Sequence, residues 1–142
     1  MSIAGLKFVS WPNAVGGYIN KSVTLQWTVD KPVNRTWEGN ITFDMEPPKL
    51  VCKWKTLITG AIQASYGSDY DANKVSLNVT LGSKSVDVTL HNLEIDDARY
   101  NYVLIIVVDG NDTLINSVAW IVIYSEYIVQ SNLFFSAVLN NE

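Results

Sequence analysis

The sequence is poor in the residues that build metal centres and covalent cross-links. Its 142 residues include one cysteine, Cys52, and one histidine, His91. An internal disulfide needs two cysteines, and a zinc cage needs several cysteine or histidine ligands, so both are excluded. We expect Cys52, in the apolar stretch "KLVCKW", to be a small buried hydrophobe, and His91 to be exposed at the end of a strand.

Basic charge and long apolar runs are also scarce. The 10 Lys and Arg residues against 14 Asp and Glu give a formal net charge of −4. No basic cluster of the kind that neutralises phosphates occurs, so nucleic acid is not an expected partner. The longest apolar run, Tyr102 to Val108, falls well short of the roughly 20 residues of a membrane helix. We therefore expect no direct membrane insertion by this fragment.

Patterns that would indicate an enzyme are missing as well. No glycine-rich phosphate loop follows a predicted strand, and a Ser-His-Asp set would have to be built on His91. The segment "YGSDYDANK" alternates Asp and Asn but lacks the glycine and the terminal glutamate of an EF-hand loop. We predict a protein that is not an enzyme and that uses no cofactor and no metal.

What the chain does contain is short segments in which apolar and polar residues alternate, as is typical of half-buried β-strands. "SVTLQWTVD" and "ITFDME" are examples, and "KVSLNVTLGSKSVDVTLHNL" predicts a hairpin. The turn signal "DGND" separates two further strands. About eight such strands at regular spacing, without a helical period, predict an all-β sandwich or barrel.

Two motifs make this prediction more specific. After "LHNLEI" the chain places Asp96, Ala98, Tyr100 and Tyr102 at alternate positions. This spacing resembles the D-x-A-x-Y-x-C motif of the immunoglobulin superfamily, with Tyr102 at the position of the second cysteine. The segment "VGGYINKSVTLQWTV" resembles the strand B motif G-x-x-V-T-L-x-C, with Trp27 at the position of the first. The resemblance covers roughly residues 9–124.

This resemblance implies a variable-type immunoglobulin-like fold, a two-sheet antiparallel β-sandwich over residues 1–125. Residues 126–142 would form an extra strand or the start of a following segment. The resemblance also implies a tyrosine corner, in which the hydroxyl of Tyr100 reaches back to upstream backbone. A bridge between Lys74 and Asp96 is expected at the edge of the sandwich.

The disulfide positions and strand C depart from the family pattern. We expect the rings of Trp27 and Tyr102 to fill the space of the missing disulfide and to touch across the sheets. The family's strand C tryptophan has no clear counterpart, and three alternatives for its position stay open: Ile41, Phe43 and Trp54.

Five N-x-[ST] sequons favour an extracellular or cell-surface location, as part of the ectodomain of a membrane protein. The alternative is that Asn, Ser and Thr simply populate turns and outward strand faces. The predicted glycosylation sites are Asn20, Asn34, Asn40, Asn78 and Asn111.

Within the superfamily, the chain is most similar to the membrane-distal domain of allorecognition receptors of colonial cnidarians. That similarity implies homophilic cell–cell binding, with the chain itself or a related cell-surface receptor as partner, through one sheet face. The alternatives are a structural or anchoring module of a cell-surface filament or coat, and a carbohydrate-binding sandwich. The predicted binding face comprises Phe43, Met45, Val51, Trp54, Tyr66, Tyr70 and Trp120.

Overall fold

The computed structural model describes residues 6–108 and 113–124. Within these residues the chain forms ten β-strands and one short 3₁₀ helix, Ile95–Ala98. No helix in this part of the chain has the length and apolar character needed to span a membrane. The strands are β1 (Phe8–Ser10), β2 (Asn13–Tyr18), β3 (Val23–Val29), β4 (Glu38–Phe43), β5 (Lys49–Thr56), β6 (Ile62–Tyr66), β7 (Val75–Asn78), β8 (Ser85–Leu90), β9 (Tyr102–Val108) and β10 (Thr113–Tyr124).

The strands form two sheets, and the predicted two-sheet all-β architecture is confirmed. One sheet has the order β1-β3-β8-β7, and the other has the order β2-β10-β9-β4-β5-β6. The predicted purely antiparallel pairing needs one correction, because β2 runs parallel to β10. The chain leaves the four-stranded sheet after β1 and enters the six-stranded sheet as β2, alongside the last described strand.

Both predicted hairpins are present. β7 and β8 pair antiparallel, with Leu77 opposite Val88, and Gly82 in the predicted "LGSK" turn has a φ of +83°, which favours glycine. β9 and β10 also pair antiparallel, starting with Val108 opposite Thr113. The turn residues 109–112 and the predicted segment 126–142 lie outside the described residues.

The core lies between the two sheets because each strand turns alternate side chains inward. Leu25 and Trp27 from β3 are fully buried, as are Leu104 and Ile106 from β9. Trp37, which precedes β4, is also buried; it was not predicted, because it lies outside any alternating segment. Both alternatives for the strand C position within β4, Ile41 and Phe43, are buried too.

A bulge in the β4–β5 pair changes which residues face the core. The register shifts between Ile41 and Thr42, so Val51 is an extra residue, and both Val51 and Cys52 are buried. Nearby, Gly39 lies opposite Trp54. A Cβ at Gly39 would be 2.1 Å from Trp54 Cη2, so the indole occupies the space that a side chain there would need.

Candidate binding face

The six-stranded sheet has an outer face, which we define as the side turned away from the core. On β10, Val118 and Trp120 point outward and are 40% and 42% exposed. The residues that follow each of them, Ala119 and Ile121, are buried. On β9, Val103, Ile105 and Val107 alternate with buried neighbours and are half-buried. The outward positions of β9, and of β10 from Val118 to Tyr124, are therefore apolar.

These residues form a continuous strip that we call the apolar band. Tyr18 on β2 and Tyr124 on β10 extend it, with ring centroids 6.1 Å apart. The Tyr124 ring lies over Gly16, where an added Cβ would be 3.2 Å from the ring. The band consists of Tyr18, Val103, Ile105, Val107, Val118, Trp120, Val122 and Tyr124.

Beside the apolar band, the outer face becomes polar over β4, β5 and β6. A polar groove of about 370 Å³ lies there. Lys53 and Lys55 stand opposite Ser65 and Gln63, and Glu38 stands opposite Lys55 on the next strand. The groove is lined by Glu38, Gly39, Asn40, Lys53, Trp54, Lys55, Gln63, Ser65 and Val107.

The charges and the amide of the polar groove lack partners within the described chain. The ion pairs among residues 6–108 and 113–124 join Lys49 to Asp69, Lys74 to Asp97 and Arg99 to Asp96, and none involves the groove. Oδ1 of Asn40 is buried and accepts no hydrogen bond there. A buried acceptor without a donor is costly, and Asn40 shares this state with four other buried side-chain atoms of the described residues, in Trp27, Trp37, Trp54 and Thr56.

Six of the seven residues predicted for the binding face do not lie on the outer face. Trp120 is on the outer face, but Phe43, Val51 and Trp54 are buried in the core. The other three are half-buried and pack against the core. The alternation of β4 and β5 does not say which side faces inward, and the bulge at Val51 reverses it within β5. The three packed residues are Met45, Tyr66 and Tyr70.

The predicted bridge between Lys74 and Asp96 is wrong by one residue. Nζ of Lys74 is 2.6 Å from Oδ2 of Asp97, and it also donates to the carbonyl oxygen of Asn92 at 3.1 Å. The backbone N–H of Glu94 donates to the same Asp97 carboxylate at 2.8 Å. Asp96 instead lies at the surface, 3.7 Å from Arg99.

The predicted role of Tyr100 belongs to Tyr102. The hydroxyl of Tyr102 donates to the carbonyl oxygen of Asp97 at 2.6 Å, whereas Tyr100 is 40% exposed. Burial, followed by the nearby negative charge of Asp97, raises the pKa of Tyr102 well above its ordinary value. Together, Lys74, Asp97 and Tyr102 form a set that we call the Asp97 node.

The predicted contact between Trp27 and Tyr102 is also corrected. Tyr102 packs against Phe43, with ring centroids 5.0 Å apart, and the ring pairs found in the described residues do not include Trp27 with Tyr102. Tyr102 starts β9 beside the 3₁₀ helix, because its hydroxyl is held at Asp97. Trp27 and Tyr102 are both buried in the core, and Tyr102 has Phe43, not Trp27, as its ring partner there.

The predicted glycosylation sites divide into two groups. Asn20, Asn34 and Asn78 are exposed and lie away from the outer face, in connecting segments or on β7. Asn40 is half-buried in the polar groove, and Asn111 is outside the described residues.

Neither His91 nor Cys52 belongs to a cluster of metal-ligating side chains among the described residues. His91 is half-buried rather than exposed as predicted, since Nδ1 lies 3.0 Å from the Ser22 hydroxyl and Nε2 lies 2.7 Å from the Ser76 hydroxyl. Burial raises the pKa of Cys52 to about 12, which keeps its thiol protonated. Across the described ranges, no three His, Cys, Asp or Glu side chains cluster as metal ligands.

Comparison with known proteins gives no family assignment. No protein-family model matches the chain, and no curated protein matches it significantly.

Proposed function

We propose that this chain is an extracellular, variable-type immunoglobulin-like recognition module that binds a second copy of itself through the outer face of its six-stranded sheet. The apolar band carries this proposal. A large apolar strip on a folded surface is typical of a protein–protein contact, with the polar residues beside it as rim. Such binding needs no catalytic residue and no cofactor.

The order of the strands supports the immunoglobulin part of the proposal. Variable-type domains place strands A, B, E and D in one sheet and strands G, F, C, C′ and C″ in the other. The orders β1-β3-β8-β7 and β10-β9-β4-β5-β6 correspond to these two sheets. A tyrosine hydroxyl bonded to backbone upstream, as Tyr102 is to Asp97, is another feature of the family.

Three of the four described sequons fit an extracellular setting in which the outer face stays accessible. Glycans on Asn20, Asn34 and Asn78 would project away from the apolar band, because these residues lie outside the six-stranded sheet or in its connecting segments. The remaining described sequon, at Asn40, is half-buried in the polar groove of the outer face, where a glycan would obstruct self-binding. Mass spectrometry of the protein secreted from animal cells would report which sites carry glycans.

The test of the proposal is self-association of the purified chain, measured by sedimentation equilibrium and by aggregation of coated beads. Val118→Asp places a charge in the apolar band and should abolish both signals. The matched control is Ile58→Asp, which makes the same type of change at a turn residue that is 99% exposed. A wild-type chain that stays monomeric at high concentration and does not aggregate beads would overturn the proposal.

A carbohydrate-binding function is the second candidate, and the aromatic residues of the outer face favour it. Tyr18, Trp120 and Tyr124 lie exposed on two neighbouring strands and could stack against sugar rings. Glycan-array binding that Trp120→Ala removes, in a chain that remains monomeric, would favour this alternative over self-recognition.

A further inference from the structure

The polar groove holds opposite charges that are adjacent but not paired. Glu38 and Lys55 are directly opposite each other on β4 and β5, and Lys53 lies two residues from Lys55 on the same side of the sheet. No ion pair involves these three residues among the described ones. By contrast, Lys49 and Lys74 each have a carboxylate partner.

A two-fold axis can pair these charges between two copies and still join their apolar bands. When two sheet faces dock symmetrically, the axis lies in the interface and each contact occurs twice. Consider an axis in the plane of the interface that pairs Glu38 of one copy with Lys53 of the other. Within one copy, this axis must pass midway between Glu38 and Lys53, perpendicular to the line that joins them. The direction of this axis is therefore fixed by the positions of two residues.

The registers show what else this axis crosses. Asn40 is opposite both Lys53 and Ile105, and Val103 is opposite Val118. With strands about 4.8 Å apart and a rise of about 3.4 Å per residue, the axis passes within about 2 Å of Asn40, Ile105 and Val118. Docking about this diagonal axis therefore places the apolar band of one copy against the apolar band of the other.

We propose that two copies of this chain dock about this diagonal axis, so that Glu38 of each copy pairs with Lys53 of the other. The inference rests on the proposed function, and it adds the register of the contact and the residues that decide which partner is accepted. Lys55 lies close to the axis, where it adds to the positive field around Glu38 but also faces Lys55 of the second copy, a like-charge contact that the two Glu38 carboxylates beside it must offset.

Asn40 also lies near this axis. Like Lys55 and Gln63, it is within about 2 Å of the axis, and its Oδ1 accepts no hydrogen bond in the described chain. An amide on a two-fold axis can exchange N–H···O bonds with the same amide of the second copy, because it carries both donor and acceptor. In the free chain the Oδ1 is covered by its own neighbours, so this exchange requires the Asn40 side chain to turn outward.

The experiment is a charge exchange, measured by sedimentation with protein made in bacteria so that Asn40 carries no glycan. Glu38→Lys makes the cluster wholly basic, and the double variant Lys53→Glu, Lys55→Glu makes it wholly acidic. Each alone should self-associate at least about tenfold more weakly than wild type, since like charges then oppose each other. An equimolar mixture of the two should form a heterodimer of nearly wild-type affinity.

Lys84→Glu is the matched control, since Lys84 is exposed before β8 of the other sheet; it should leave association unchanged. If Val118→Asp abolishes association but the charge variants behave as wild type, or their mixture does not associate, the diagonal docking is wrong while the proposed function stands. If wild type itself does not associate, both fail.

Discussion

The Asp97 node allows the roles of neighbouring tyrosines and aspartates to be separated by measurement. Tyr102→Phe removes a hydroxyl that donates to backbone at 2.6 Å from a buried side chain. A hydrogen bond of this kind contributes about 1 kcal/mol to the free energy of unfolding. Tyr100→Phe removes a hydroxyl from a ring that is 40% exposed, and surface changes of this kind stay within about 0.5 kcal/mol.

The ion pairs of the two neighbouring aspartates should differ more in their contribution to stability, because the Asp97 pair is largely buried and the Asp96 pair is exposed. Lys74 and Asp97 have side chains that are 22% and 12% exposed, between the fully buried and the surface case. Breaking a buried pair costs about 3–5 kcal/mol and an exposed pair about 0–1 kcal/mol, so Lys74→Met should cost about 2 kcal/mol. Asp96→Asn, in a pair whose side chains are 66% and 77% exposed, should cost almost nothing.

Urea denaturation at 25 °C measures these differences, and thermal melts should follow at about 3 °C per kcal/mol for a domain of this size. The double variant Tyr102→Phe, Lys74→Met reports whether the two contacts to Asp97 are coupled. The assignment of the node to Asp97 and Tyr102 is refuted if Tyr100→Phe or Asp96→Asn proves more costly than its neighbour's change.

Three further predictions concern the buried parts of the six-stranded sheet. Cys52 should react with thiol reagents only as fast as the chain unfolds, because burial raises its pKa to about 12; rapid labelling without denaturant would contradict this. Since the folded-state pKa values of Cys52 and Tyr102 are raised above the ordinary 9.0 and 10.0, stability should be complete below about pH 9 and fall above it. The fall is about 1.4 kcal/mol per pH unit from Cys52 above about pH 9, and the same again from Tyr102 above about pH 10, so Cys52→Ala should remove the fall between pH 9 and 10 in urea titrations. Gly39→Ala should cost about 1–3 kcal/mol by overpacking against Trp54, and less than that in a Trp54→Phe background, where the smaller ring leaves room; equal costs in both backgrounds would show that the two sites are not coupled.

Much of the strand pattern could be predicted from the sequence, because alternation and turn residues act locally. The strand containing Val23, Leu25 and Trp27 and the hairpin after Val75 are found as predicted. The parallel pairing of β2 with β10 could not be predicted, since it joins segments about a hundred residues apart and leaves no local signal.

The candidate site was harder to predict, because alternation defines two faces of a strand without saying which one meets the core. The residues of β4 and β5 were assigned to the wrong side for that reason. The continuous apolar composition of "VLIIVV" and "AWIVIY" indicates a partner surface from the sequence, but of these runs only Trp120 was included in the predicted face. A strand that is apolar at every position has apolar outward residues as well, and here these are Ile105 and Val118.

The corner motif was displaced for a related reason. The motif spacing fixes an acidic residue and a tyrosine four positions apart, whereas the structure uses Asp97 and Tyr102, which are five apart. The 3₁₀ helix Ile95–Ala98 turns Asp97, and not Asp96, toward Lys74. The orientation of one turn of helix therefore decides which of two adjacent aspartates is structural.

The parallel pairing of β2 and β10 also has a mechanical consequence. Six consecutive residue pairs, from Asn13 with Ala119 to Tyr18 with Tyr124, hold these strands side by side. A pull on the start of β2 and the end of β10 would act along the strands in opposite directions, so the hydrogen bonds between them would be sheared together and not peeled apart one by one. The sandwich is thus built to resist tension applied along its length at these two strands.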